Sequence, residues 1–317
     1  MYSCVSRLSA RGAFLLLVFS ASLTNSLHAQ TIDDGIMMAR QVLFAGDVYS
    51  HASWENYWEG SLERVNGNIG TVTTQTNVWS ADYGLTDRLN LLAAVPYVWT
   101  RAGQGVLRGM NGFQDLTLAG KYSVLERPST RLGSLRAIGV FSVGLPLTDY
   151  SPDLQPLSIG LASRRLSGRL TVNARSDRGW FLNGSAAYSW RGNVTLDRPF
   201  YYTEGQLFLT DDVSMPNQLD YVASVGYEGR GMMADFAFSQ QKTLGGGDIR
   251  RQDIPFVSNQ MNFSRVGGML MYPVPKLQNL VFQLSYAYTV DGRNVGQAAT
   301  ITTGLLYRCR IGGRPTS

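Results

Sequence analysis

The chain has 317 residues and a formal net charge of +5, with 44% hydrophobic and 16% charged residues, enough for one large domain or two ordinary ones. Its basic residues are scattered, which excludes the concentrated stripe of a nucleic-acid binder. Two cysteines, Cys4 and Cys309, give no disulfide framework.

Arg7 and Arg11 precede the apolar run AFLLLVFSASL and then NSLHAQ. This is the pattern of a secretory signal peptide over residues 1–29, cut after Ala29. The apolar run is too short to cross a bilayer as a helix, and Cys4 lacks a lipobox before it. The mature chain would carry a charge of about +3, one cysteine (Cys309) and one histidine (His51). An exported chain without a disulfide must hold itself by packing or by a closed sheet. Residues 30–40, QTIDDGIMMAR, read as a periplasmic segment that could also enter the lumen from below, where Met37 and Met38 would be soft contacts.

From residue 41 onward the chain alternates with the period of strands. The expected spans are 41–52, 68–83, 87–101, 111–126, 131–147, 155–175, 179–195, 217–229, 231–243, 258–273, 277–291 and 296–310. In the third, Leu89, Leu91, Ala93, Val95, Tyr97 and Trp99 share one face. In the seventh, Trp180, Leu182, Gly184, Ala186, Tyr188 and Trp190 oppose Phe181, Asn183, Ser185, Ala187, Ser189 and Arg191. In the eleventh, Leu280, Phe282, Leu284, Tyr286, Tyr288 and Val290 oppose Val281, Gln283, Ser285, Ala287, Thr289 and Asp291. Two spans obey less cleanly. Residues 68–83 are polar on both faces, and in 155–175 the apolar phase slips between Leu161 and Leu166, around Arg164 and Arg165, as at a bulge or in chain above a membrane.

These strands are longer than those of soluble sheets. The connections GLTD, RPST, SDRG, GRG and VPKL are short, and those over 53–67, 196–216 and 244–257 are long. An even strand number, short turns at one end and long loops at the other predict an all-β, single-domain, twelve-stranded antiparallel barrel in the bacterial outer membrane, over residues 41–311. Closure removes sheet edges and satisfies the backbone inside lipid. Trp79, Tyr83, Tyr97, Trp99, Trp180, Tyr188, Trp190, Tyr227, Tyr272 and Tyr307 lie near strand ends, where amphipathic rings favour the membrane–water interfaces. Residues 312–317 would be a periplasmic tail, and Cys309 a small lipid-facing residue.

The runs TIDDGIMMARQVLFAGDVYSHASWENYWEG, DYGLTDRLNLLAAVPYV, GFQDLTLAGKYSVL and VGLPLTDYSP resemble the family of outer-membrane transporters named for the meta-pathway of phenol degradation. The resemblance spans most of the mature chain. Gln114 stands where that family often has glycine, and Asp115 is kept. These motifs are turns and strand starts rather than chemistry. The resemblance implies the barrel and a role in handling aromatic or other hydrophobic compounds, and it carries over no catalytic residue.

A transport function would reside on the inward face. Alternation places Asp115, Lys121, Arg136, Arg169, Asn173, Asn183, Arg191, Asp220, Asp235, Gln283, Arg308 and Arg310 there. These residues would either line a water-filled path or brace a filled barrel, because buried charge must pair or stay wet. Arg169, Arg191 and Arg308 have no acid two residues away on their own strands. In the longest loop, Phe200, Tyr201, Tyr202 and Phe208 would fold inward as a plug or form an outer hairpin packed on its own rings. Asp33-Asp34 and Asp211-Asp212 read as solvated loop acids. A serine nucleophile needs a histidine base; the one mature histidine, His51, has only Ser50 and Ser53 near it in sequence. The reading is passive passage of small, hydrophobic or aromatic solutes, with no cofactor, no metal and no catalytic residue. Its partners would be outer-membrane lipid, the barrel-assembly machinery and an unidentified small solute. The alternatives are a structural barrel with a filled lumen and a lipid-modifying enzyme.

Overall fold

The structure, a computed structural model, describes residues 31–129, 133–229, 231–250, 255–277 and 279–311. The signal segment and residues 312–317 lie outside the described residues. Twelve long strands form the wall: β1 Val42–Trp54, β2 Val72–Gly84, β3 Leu89–Ala102, β4 Asp115–Ser129, β5 Gly133–Pro146, β6 Arg165–Arg175, β7 Trp180–Arg191, β8 Gln218–Gly229, β9 Met232–Thr243, β10 Asn262–Pro273, β11 Leu280–Arg293 and β12 Ala299–Arg310. Each pairs antiparallel with the next. The sheet closes on itself where β1 meets β12, with Val42 opposite Arg310 and Ser53 opposite Ala299. A short strand, Asn111–Phe113, extends β4 outward and pairs with Tyr97–Trp99. The break falls at Gln114, whose N–H donates to the Pro96 carbonyl across the seam. Pro96 has no N–H to return, so a regular ladder cannot continue there.

The wall has two solvents. Along β7, Trp180, Leu182, Gly184, Ala186, Tyr188 and Trp190 are exposed, while Phe181, Asn183, Ser185, Ala187 and Ser189 are buried. The exposed set continues around the barrel as Leu91, Phe141, Leu170, Phe236, Leu284, Tyr286 and Ile301. An apolar belt of this extent on a closed sheet is solvated by lipid, and this is a barrel of the bacterial outer membrane. Its aromatic members pair along the wall, Trp180 with Tyr227 at 5.4 Å between ring centroids and Tyr97 with Trp99 at 4.7 Å. Two hollows of about 500 and 680 Å³ also lie on this outer face, one bounded by Val172, Leu182 and Phe236, the other by Gly120, Gly139 and Phe141.

The turns after β2, β4, β6, β8 and β10 are the short ones expected, and they share one end of the barrel with the start of β1 and the end of β12. Several expected strands begin later than the alternation indicated. β2 starts at Val72, β10 at Asn262, β11 at Leu280 and β12 at Ala299; β6 starts latest, at Arg165, and residues 147–164 are a loop. Pro152, Pro156 and Gly160 supply no continuous ladder, and the phase slip near Arg165 is the entry of the strand. The bulges fall elsewhere, at Val124 in β4 and near Val290 in β11.

Candidate functional site

The chain before β1 does not hang in the periplasm. Residues 32–40, read as a periplasmic segment, turn back into the barrel and cross its lumen. Ile36 and Met38 are buried against Phe44, Phe181, Met233, Met271, Val281 and Leu306 on one side of the wall. Ile32 and Met37 pack on Leu92, Ala119, Ile138 and Val140 on the other. The reversal is tight. Gln41 takes a left-handed φ of 63°, its N–H donates to the Gly84 carbonyl (2.7 Å), and the Val42 N–H donates to the Ala39 carbonyl (3.1 Å). Gly35 lies so close to Asn173 that a Cβ there would stand 2.3 Å from the Asn173 Cβ.

Polar contacts fix this plug. Lys121 on β4 is fully buried, and its ammonium donates to Asp34 Oδ1 (2.6 Å) and to the Thr31 carbonyl (2.9 Å). Asn183 on β7 donates from Nδ2 to the Asp33 carbonyl (3.1 Å). Asp34 also accepts from the Ile36 N–H (2.8 Å), which bends the segment into an Asx turn. Asp33 and Asp34 are therefore lumen residues and not the solvated loop acids their sequence context indicated. Composition gave no sign of this, because the partner of Asp34 is 87 residues away.

Above the plug the inward face is polar. Arg169 donates to Ser185 Oγ (2.7 Å), Ser167 bonds Ser189 (2.7 Å), Gln240 donates to Ser264 (3.2 Å) and Arg265 to Thr289 (3.2 Å). Asp220 accepts from Gln218 (2.7 Å), and Arg191 reaches the Pro216 carbonyl through Nε (2.7 Å). Asn173 contacts the Leu182 carbonyl, Asp235 lies opposite Met269, and Gln283 opposite Gly304, all on the inward alternation. Arg308 is half-buried on β12. Arg136 keeps the inward alternation of β5, opposite Asn173, and is ion-paired with Glu126 across the β4–β5 turn. Arg310, the last residue of β12, is exposed. His51 stands on β1 between Gln75 and Ile301.

The opposite end is covered by loops. Residues 147–164 are anchored by Tyr150, whose hydroxyl donates to Asp115 Oδ1 (2.7 Å) and accepts from the Ala162 N–H (2.9 Å). Burial pushes the Tyr150 phenol well above its ordinary pKa. Leu157, Ser158 and Ile159 are buried, and Thr100 donates to the Leu157 carbonyl (2.5 Å). The long loop between β7 and β8 is a hairpin packed on itself. Tyr201 stacks on Phe208 (5.0 Å) and on Phe256 (5.1 Å), while Phe200 and Tyr202 stay exposed. Leu196, Tyr201, Val213 and Met215 of this loop are buried with Phe256 and Val257, and Leu161 and Ala162 of loop 147–164 pack against the same cluster. Asn294, nearly fully buried, ties three loops together. Its Oδ1 accepts from the Gly60 and Ile249 N–H groups, and its Nδ2 donates to Asp248 and to the Gln260 carbonyl.

Beside this hub two adjoining cavities of about 190 and 170 Å³ open at the mouth. Trp54, Tyr57, Gln155, Pro156, Ile249 and Pro255 line both. An apolar cavity of ~150 Å³ holds one benzene-sized ring. Among the described residues no three histidine, cysteine or acidic side chains form a metal-binding group.

The family described as "Putative MetA-pathway of phenol degradation" matches residues 65–303. No curated protein matches the sequence. Among solved structures, an outer membrane channel from Pseudomonas putida F1 superposes with a TM-score of 0.69 at 12% identity, covering 88% of this chain and 100% of that one. The NanC porin (TM-score 0.45, 8% identity, 82% and 98% covered) and a TodX monoaromatic hydrocarbon channel mutant (0.45, 10%, 86% and 91%) are more distant. The first of these likenesses establishes the fold.

Proposed function

The chain belongs to the family described as "Putative MetA-pathway of phenol degradation", and on that footing we propose that it is a gated outer-membrane channel for passive passage of small hydrophobic or aromatic solutes. The observation that carries this reading is the plug. A barrel that needs only stability fills its lumen with side chains from its own wall. Here the periplasmic half is closed by residues 32–39, a chain end joined to the wall by one reversal at Ala39–Val42. Such a segment can leave without breaking the sheet.

The solute class follows from the mouth. The cavity between Trp54, Tyr57, Pro156 and Pro255 is ring-sized and largely apolar, with Gln155 at its edge. Further in, Arg191 and, four residues deeper along the wall, Arg169 offer positive charge to an anionic substituent such as a carboxylate. The chemistry required is diffusion, which needs no cofactor and no catalytic group. Assembly would depend on outer-membrane lipid and the barrel-assembly machinery. The half-buried His51, flanked along β1 by Ser50 and Ala52, has no triad to support hydrolysis.

Single-channel recording of the refolded chain in a planar bilayer tests the reading. The intact protein is expected to show brief, small openings, and a variant lacking residues 31–39 a larger and steadier conductance. Silence from both would leave a structural barrel with a filled lumen. Trp54→Ala should then lower the flux of a monoaromatic solute relative to a small sugar.

A further inference from the structure

The barrel floor holds a second acid for Lys121. Asp82 on β2 is 3% exposed; its carboxylate has no cationic partner and no hydrogen bond of good geometry, and the amide of Asn90 is the one polar side chain that approaches it among the described residues. A buried carboxylate without partners is costly, and such groups are rare enough to require an explanation. The register supplies one. Gly84, Asn90 and Lys121 form one row across β2, β3 and β4, and Asp82, Leu92 and Ala119 form the next row along the inward face. At ordinary sheet spacings the Asp82 and Lys121 Cα atoms are about 12 Å apart, with both side chains directed at the axis. Asn90 lies between them, fully buried, and the charges of Lys121 and Asp34 both act on Asp82.

An ammonium has three donors. Lys121 commits two of them to the plug, one to Asp34 and one to the Thr31 carbonyl. Withdrawal of the plug would strip both from a side chain with no solvent exposure. We propose that Lys121 exchanges partners as the plug moves: it holds Asp34 when the plug is seated and Asp82 when the plug is withdrawn. Asp82 is unpaired in the closed state because its partner is engaged. On the far wall, Asp235 faces Asp33 and Asp34 with like charge. The plug is thus held by one ammonium and opposed by two acids of the wall, so the seated and withdrawn arrangements differ in which acid Lys121 pairs with.

This inference rests on the gated-channel reading, and its test separates the two. In the full mature chain with Cys309→Ser, a cysteine at Met37→Cys is partly buried against Ala119, Ile138 and Val140 while the plug is seated, and becomes freely accessible on withdrawal. Its labelling rate by a membrane-impermeant maleimide in liposomes reports withdrawal without any transport assay. Asp34→Asn should raise the rate at least fivefold. Asp82→Asn should lower it at least threefold, because the withdrawn state loses its ion pair. In a Lys121→Gln background, Asp82→Asn should change nothing further. An unchanged or raised rate in Asp82→Asn overturns the exchange, as does an undiminished effect without Lys121. Should Asp82→Asn fail to assemble, Asp82→Glu keeps the charge, and its rate must differ from the parent only when Lys121 is present. Opposite shifts in labelling with no conductance in any variant would keep the exchange and remove the channel. Conductance without opposite shifts would do the reverse.

Discussion

The carbonyl oxygen of Ala39 rests against the α-carbon of Gly84: a Cβ at that glycine would stand 2.1 Å from it. The glycine of the YGLTD turn is therefore the berth of the plug, and its requirement is close approach of another backbone and not an unusual φ. Gly84→Ala should fold as a barrel but displace residues 32–39, raising single-channel conductance severalfold. Gly120→Ala is the control, since nothing lies within 4 Å of a Cβ there; it should conduct like the parent. Equal conductance from both would show that the Ala39 contact does not hold the plug.

The facing of β11 can be checked with neighbouring substitutions. Leu284 is 41% exposed on the lipid side, and Gln283 points inward opposite Gly304. Leu284→Arg should impair assembly, because arginine near the bilayer midplane costs about 2–4 kcal/mol on the lipid face. Gln283→Arg enters a polar lumen and should refold close to parental yield, read by heat-modifiable migration on gels.

Tyr150 secures the loop that turns across the mouth. Tyr150→Phe would leave Asp115 and the Ala162 N–H without their shared partner. A buried group deprived in this way costs about 1–3 kcal/mol. The expected result is faster tryptic cleavage at Arg164 and Arg165 with the barrel intact; unchanged cleavage would mean that the packing of Leu157 and Ile159 suffices.

The Asp248–Arg293 pair gives the loop cluster a pH limit. The Arg293 guanidinium donates to both Asp248 oxygens (2.6 and 2.8 Å) and holds that carboxyl below its usual range, aided by the Asn294 amide and opposed by slight burial. A depressed folded pKa adds stability above the unfolded value of about 3.9 and loses it as pH falls through the folded value. Loop protection should therefore be flat from pH 8 to about 5 and weaken below about 4. The pair is partly exposed, so the effect should be under about 1 kcal/mol and shrink in high salt. Protease protection of Asp248→Asn, measured across that range, should show no such fall.

Arg169, Arg191 and Arg308 come from three strands of the wall, and the guanidinium groups of the first two donate to Ser185 and to the Pro216 carbonyl. Replacing all three by Gln should shift the reversal potential toward cations while the barrel still folds. A barrel that no longer assembles would mark them as braces.

Sequence alone determined the wall. Period-two alternation, the length of the strands and the asymmetry between short turns and long loops specify twelve strands, their facing and the apolar belt, because each depends on local geometry and on one choice of solvent. It also assigned a set of polar residues to the inward face; among them Asn183 is buried on β7, and Arg310, at the end of β12, is exposed. What fills the lumen was decided only in three dimensions. Asp34 and Lys121 meet across 87 residues, Asp82 lies unpaired beside them, and Tyr201 turns to Phe256 instead of inward. None of these contacts has a period or a spacing. They arise where barrel closure brings distant strands and the segment before β1 within a few ångströms, and the cost of burying their polar groups then selects the partners.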